Sequence, residues 1–150
     1  MTDIRVATAA DVSGVLALWR DAGSVVTVTD DKDAVTRLIG HDPEALLVAE
    51  EGGRIVGTVI GGWNGWRGEI DRLAVAPSHR RTGLATRLLD AATESLHGRG
   101  ARRVACIVVA DDSDARGFWD ASPFGAQQNR IRYVDPPDRP ISSSKGKSRQ

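Results

Sequence analysis

The sequence predicts a mixed α/β domain: one central, mostly antiparallel sheet flanked by about four helices. Three observations carry that prediction. Strand-like and helix-like apolar periods succeed one another in the order strand, two helices, three strands, helix, strand, helix, strands. The runs 45–50 and 54–61 are joined by Glu51-Gly52-Gly53, which reads as a hairpin, and a third run at 69–76 follows turn chemistry at Asn64-Gly65. That third run then passes through Pro77 and a basic turn into a helical pattern.

Each element has a local reason. Residues 4–7 alternate apolar and polar and open the sheet. Thr8 with Asp11 three residues on forms a capping-box pattern before Val12, Val15, Leu16 and Trp19, the stripe of a first helix ending near Gly23. The β-branched stretch 24–29 stays unassigned. Asp30 or Asp31 caps a second helix running to about Ile39, with Val35, Leu38 and Ile39 inward. After the three strands, a helix is expected over 82–97, with Leu84, Leu88, Leu89 and Ala92 on one face and Gly98 and Gly100 at its end. The apolar run 103–109 reads as a strand at the centre of the sheet. A short helix follows at 113–121, then a last strand pair around 126–134. Residues 1–134 are expected to form one domain and 135–150, rich in proline, serine and basic residues, a mobile tail.

The 150 residues suffice for one core without staples, and 20 basic against 20 acidic residues remove any global pull toward nucleic acid or membrane. The single cysteine, Cys106, sits in an apolar run and reads as a buried small hydrophobe. No stretch approaches the ~18 apolar residues of a membrane span. The N-terminus lacks signal-peptide layout, so a cytoplasmic setting is expected. No histidine, cysteine and carboxylate cluster has metal-ligand spacing, so no metal is expected.

The informative stretch is the turn Arg80-Arg81-Thr82-Gly83-Leu84-Ala85, between a strand and a helix. The first N–H groups of a helix lack internal partners and sit at its positive end, which suits a phosphate. Gly83 permits close approach of backbone and ligand, and Ala85 keeps the next turn slim. Arg80 and Arg81 can add charge-assisted bonds. The spacing is neither that of a P-loop, which needs a lysine, nor of a dinucleotide fingerprint, which needs three glycines. It matches the Arg/Gln-x-x-Gly-x-Gly/Ala signature, through Arg80, Gly83 and Ala85. With the preceding IDRLAVAP and the element order, the chain from about residue 3 to 134 resembles the GCN5-related N-acetyltransferase (GNAT) family.

That resemblance implies acetyl-CoA as co-substrate, its pyrophosphate in the turn over Arg80, Arg81, Thr82, Gly83, Leu84, Ala85 and Thr86, and a sheet splayed between its fourth and fifth strands. Pantetheine is implied to lie as a pseudo-strand against Leu73, Ala74 and Val75, where a backbone N–H polarises the thioester carbonyl. The implied reaction is direct transfer of acetyl to a primary amine of a small molecule or peptide. Glu69 and Asp71 are the expected catalytic carboxylates, taking a proton from the acceptor ammonium. Being two apart, they share a face on an unbroken strand, but a bulge common in this strand of the family leaves their facing open. So does a plainer reading, as solvated carboxylates or partners of Arg67 or Arg72. Asp112 and Trp119 are implied to border the cofactor. Trp119 stands where many members carry a tyrosine acid, and an indole N–H has no useful acidity. It reads as a wall against pantetheine or as a hydrogen-bond donor to the thiolate.

Trp63 and Trp66 read either as acceptor contacts or as edge or dimer packing, a homodimer being allowed but not required. His79 is expected at the surface near phosphate, and His41 and His97 at helix ends. Two other functions remain in view. The missing tyrosine keeps a non-catalytic acyl-CoA sensor with the same fold. Arg80, Arg81, Arg99, Arg102 and Arg103 keep a nucleic-acid binder, against which the balancing acidic surface argues.

Overall fold

The computed structural model describes residues 2–24 and 27–135. One five-stranded sheet has the order β1-β2-β3-β4-β5, with β1 Asp3–Val6, β2 Leu46–Glu51, β3 Arg54–Trp63, β4 Gly68–Val75 and β5 Val104–Cys106. The first four strands pair antiparallel, and β5 joins β4 parallel. Helices α1 Val12–Asp21 and α2 Lys32–His41 cover one face through Val15, Trp19 and Val35, packed with Leu46, Val48 and Ala74. Helix α3 Leu84–Gly98 covers the other face through Leu84, Leu88, Leu89, Ala92 and Leu96, packed with Val59 and Ile70. Helix α4 Ser113–Ala121 lies on the α3 side, where Phe118 and Trp119 join that core.

The caps form as their residue types dictate. The Asp11 carboxylate accepts from the Thr8 N–H at 2.8 Å and that of Asp31 from the Ala34 N–H at 2.8 Å. Arg5 ties three elements together: its guanidinium donates to both Asp11 carboxylate oxygens, at 2.8 and 3.0 Å, and to Glu50 at 2.9 Å. The Arg5 bonds hold the Asp11 carboxyl down to about 2. Helix α3 packs directly on the sheet because residues beneath it are glycines. A Cβ on Gly57 would stand 2.8 Å from Leu88 Cδ1, and one on Gly68 2.8 Å from Leu96 Cδ1. Each buried leucine of α3 contributes about 1.5–3 kcal/mol of burial, so this contact is a main source of stability.

Four expectations need correction. The run 103–109 does not form a central strand. Only Val104–Cys106 is strand, at the sheet edge, and Ile107 and Val109 are 57% and 56% exposed. The strand pair at 126–134 does not form among the described residues. Ile131 and Tyr133 are 79% and 90% exposed, and the polar run Gln127–Arg130 offers no apolar face to anchor a strand on the α3 core. Helix α3 begins at Leu84 rather than Thr82, because Arg81 and Gly83 take φ of 62° and 83°, outside helical space. Cys106 is half-buried rather than fully inside, a consequence of its edge position. The tail expected at 135–150 falls, from residue 136 on, outside the described residues, as do Val25 and Val26 of the unassigned stretch. No helix among the described residues is long and apolar enough to cross a membrane.

Two glycine replacements read this packing in opposite directions. Gly57→Ala forces a methyl among Leu88, Leu84 and Ala49 and is predicted to cost about 1–3 kcal/mol in urea unfolding. Gly40→Ala, inside α2 with open space around it, is predicted to raise stability by roughly 0.5–1 kcal/mol.

Candidate active site

Strand β4 is broken into two parts by a bulge. Thr58 of β3 pairs with Ala74 and Ile60 with Asp71, so Arg72 and Leu73 together face the single residue Val59. Arg72 takes φ 50° to make the extra turn. The bulge reverses the strand's phase. Ile70 before it packs with the α3 core, whereas Ala74 after it packs with the α1 and α2 core beside Trp19. Glu69 and Asp71 both precede the bulge, flanking the buried Ile70, and so share the face opposite α3. The question left open by the sequence is settled by the bulge's position, one residue too late to separate them.

Thr58 explains where the bulge falls. It is the only polar side chain in the fully buried set of the described residues. Its hydroxyl donates to the Arg72 carbonyl at 2.9 Å and accepts from Trp19 Nε1 at 2.9 Å. The Arg72 side chain turns toward the α1–α2 connection, where its guanidinium pairs with Asp30, reaches Thr27 Oγ1 at 3.4 Å and lies 5.1 Å from the Trp19 ring centre.

Strands β4 and β5 part company just before the bulge. Their parallel register is Gly68↔Val104, Glu69↔Ala105 and Ile70↔Cys106, and it ends there, although β4 continues to Val75. A wedge therefore opens along the β4 edge from Asp71 onward. It leads to the turn before α3, where a short 3-10 turn, Pro77–His79, passes through Arg80–Gly83 into the helix. The first intrahelical bond runs from the Arg87 N–H to the Gly83 carbonyl at 3.1 Å, so the N–H groups of Leu84, Ala85 and Thr86 open the helix without intrahelical acceptors. Nothing lies within 4 Å of where a Gly83 Cβ would stand; glycine is required there by its φ, and the space in front is free.

The turn is braced from within. Thr82 Oγ1 donates to the His79 carbonyl at 2.6 Å, His79 Nε2 lies 2.8 Å from Glu51, and Arg80 donates to the Ala22 carbonyl at the end of α1 at 3.0 Å. Arg80 thus anchors the turn, while Arg81 extends to solvent. Leu84 and Ala74 bury their side chains in the two cores, which leaves only their main chain to a ligand. Ala85 is half-buried and Thr86 exposed on the first turn of α3. Leu73 and Val75 are half-buried against the α3 core at the wedge. Asp112 caps α4 by accepting from the Ala115 N–H at 3.0 Å. Trp119 stands edge-on to Phe118 and Phe124, with ring centres at 5.4 and 5.0 Å, on the wall of a cavity of about 1310 Å³ between α3, β5 and α4. The nitrogen-bearing edge of Trp119 supplies no acid. Exposed Trp66 is covered on one side by Arg67, 3.9 Å from its ring centre, and half-buried Trp63 lies against Gly100.

Electrostatics single out the two carboxylates. Partial burial raises both carboxyl groups, and Asp71 raises Glu69 further by like charge, while Arg132 pulls both back. Burial, followed by the same two carboxylates, pushes the Cys106 thiol up to about 11, so it is a neutral thiol beside them. Sequence reading missed Thr58, Arg132 and Cys106 as neighbours of this site. No local signal marks them: Thr58 and Cys106 reach it through pairing between distant strands, and Arg132 through the chain that follows the last helix. Among the described residues no group of three or more histidine, cysteine or carboxylate side chains is placed to hold a metal.

A wedge beside a bulged strand, leading to an open helix start, is the arrangement that the resemblance to an acyl-CoA-dependent transferase class implies. The comparisons carry this to a family. The model described as "Acetyltransferase (GNAT) family" matches residues 14–125, and the chain belongs to that family. It is an acetyl-CoA-dependent N-acetyltransferase. An acetyltransferase of Yersinia enterocolitica is 37% identical over 125 residues, covering 83% of this chain and 89% of that protein. One of Pectobacterium atrosepticum is 34% identical over 118 residues, covering 79% and 84%. In fold, the chain is similar to AAC(6')-Iy solved with the bisubstrate analogue CoA-S-monomethyl-acetylneamine, with TM-score 0.72, 19% identity and coverage of 90% and 98%. It is likewise similar to Ard1 of Thermoplasma volcanium, with TM-score 0.71, 22% identity and coverage of 79% of each chain.

Side-chain carboxyl titration by NMR is predicted to place Glu69 and Asp71 above the ordinary range of exposed Glu and Asp. Arg132→Gln is predicted to move both higher still, because it removes the charge that favours their ionised forms.

Proposed function

We propose that the wedge beside β4 binds acetyl-CoA and that Glu69 and Asp71 serve transfer of its acetyl group to a primary amine on a small molecule or peptide. One observation carries this reading: β4 presents the carboxylate pair before its bulge and the free edge beyond it, 68–75 in one strand. The residues fit the cofactor, since a Cβ at Gly83 would meet open space and the helix start beyond it has N–H groups to offer.

When bound, acetyl-CoA supplies an acetyl group activated as a thioester. The chain's own residues do the rest. Main-chain N–H groups at 83–86 hold the pyrophosphate, with Arg81 adding charge and Arg80 fixing the turn through Ala22. A main-chain N–H within 73–75 donates to the thioester carbonyl oxygen, where negative charge develops during attack. Glu69 accepts a proton from the ammonium directly or through water, and Asp71 beside it keeps its affinity for that proton high. Trp119 closes the wall around the sulfur-bearing arm, and water returns the proton to the thiolate. The amine acceptor is in keeping with the aminoglycoside-derived analogue bound by AAC(6')-Iy, a neighbour in fold.

The test is coenzyme A release across a panel of primary amines. Glu69→Gln is predicted to lower kcat by about 10²–10⁴ and to remove the acid limb of the pH profile while leaving acetyl-CoA affinity unchanged. The limb itself is predicted above the ordinary carboxylate range, because a carboxyl of raised pKa loses its base form earlier as pH falls. Unaltered turnover and pH profile in Glu69→Gln would overturn the base assignment. Acetyl-CoA binding without turnover on any amine would select the sensor reading, which Trp119 in the tyrosine position favours.

A further inference from the structure

We propose that Thr58, a buried β3 residue paired with Ala74 of β4, is a positioning residue that sets the register at which β4 presents its free edge to the thioester. The inference rests on the cofactor reading above and extends it to a residue on the neighbouring strand.

The relay through Thr58 has a fixed direction. An indole N–H can only donate and a carbonyl can only accept. Trp19 Nε1 therefore occupies an acceptor position of the hydroxyl, and the hydroxyl proton has one place to go, the Arg72 carbonyl. That carbonyl belongs to the bulge itself, where Arg72 and Leu73 together face the single β3 residue Val59. Thr58 is fully buried, so no water can replace it without opening the core. A β4 without the bulge would continue the phase set by Ile70. Leu73 and Ala74 would exchange faces, and the N–H groups that now border the wedge would turn toward β3. The side chain of the same residue is held separately, by Asp30 and the Trp19 ring. Main chain and side chain of Arg72 are thus fixed by one group of residues from α1, the α1–α2 connection and β3.

The experiment compares the full chain with Thr58→Val, which keeps the shape and loses the hydroxyl, and Thr58→Ser, which restores it. Calorimetry measures affinity for coenzyme A, and isotope-edited infrared spectroscopy reads the carbonyl band of bound [1-13C]acetyl-CoA. The native chain is predicted to shift that band to lower frequency than in free acetyl-CoA, reporting the β4 hydrogen bond. In Thr58→Val the band returns toward the free position and kcat falls about 10²-fold, the scale of one lost oxyanion donor, while coenzyme A affinity holds. In Thr58→Ser the band stays at the native position. A band unmoved in Thr58→Val, or parallel loss of coenzyme A affinity, would overturn the proposal. Should Thr58→Val not fold, Thr58→Cys reads the same contrast through a weaker donor. The infrared readout needs neither acceptor nor base. A silent Glu69→Gln would therefore remove the base assignment and leave a shifted band supporting Thr58, whereas a native chain that binds no coenzyme A removes the cofactor reading itself.

Discussion

Helix α3 lies where it does because the sheet beneath it is glycine at three points. Gly57, Gly61 and Gly68 leave room for Leu88, Ala92 and Leu96 to rest directly on β3 and β4. A helix held that close cannot slide without losing the interdigitation that stabilises it. Its first turn is therefore fixed relative to the end of β4. The left-handed pair Arg81 and Gly83 then delivers the chain into the helix with its N–H groups facing open space. Stability and the geometry of the turn thus depend on the same contact. The core of α3 is both the protein's main apolar burial and the mount of its open first turn.

Strand β4 has two unlike halves. Upstream of Arg72 it carries Glu69 and Asp71 on one face and is paired on both sides as far as Ile70. Downstream it has parted from β5 and offers an edge. The bulge between them is the only place where the strand could change roles, since a regular strand would keep one phase throughout. The chain has no net charge, yet the local field is far from neutral: burial raises both carboxyl groups, Asp71 raises Glu69 further, and Arg132 moderates them. Overall charge balance says nothing of a site this small.

Much of this was legible in the sequence, and the legible parts are local. The strand, basic turn and helix at 69–98 announce themselves through Pro77, Gly83 and the leucine spacing. The caps at Thr8–Asp11 and Asp31 likewise depend on residues three apart. A bulge in this strand was implied by the resemblance, but its position could not be read, because Trp19 and Arg72 meet Thr58 across 39 and 14 residues of chain. For the same reason the shared face of Glu69 and Asp71 stayed open until the register was seen. The apolar run 103–109 misled in the opposite way. Apolar composition was taken to mean a central strand, whereas β5 pairs on one side only and exposes Ile107 and Val109. Composition reports that a residue can be buried. Pairing decides whether it is.

The central claim is that the turn before α3 holds the pyrophosphate of acetyl-CoA. Calorimetric titration of the native chain and of Gly83→Glu with acetyl-CoA tests it most directly. The replacement puts bulk and negative charge where the space is free, and a side chain where φ is 83°. Saturable binding by the native chain, and its loss in a folded Gly83→Glu, is the predicted result. Equal binding by both, or none by the native chain, would contradict the account at its base.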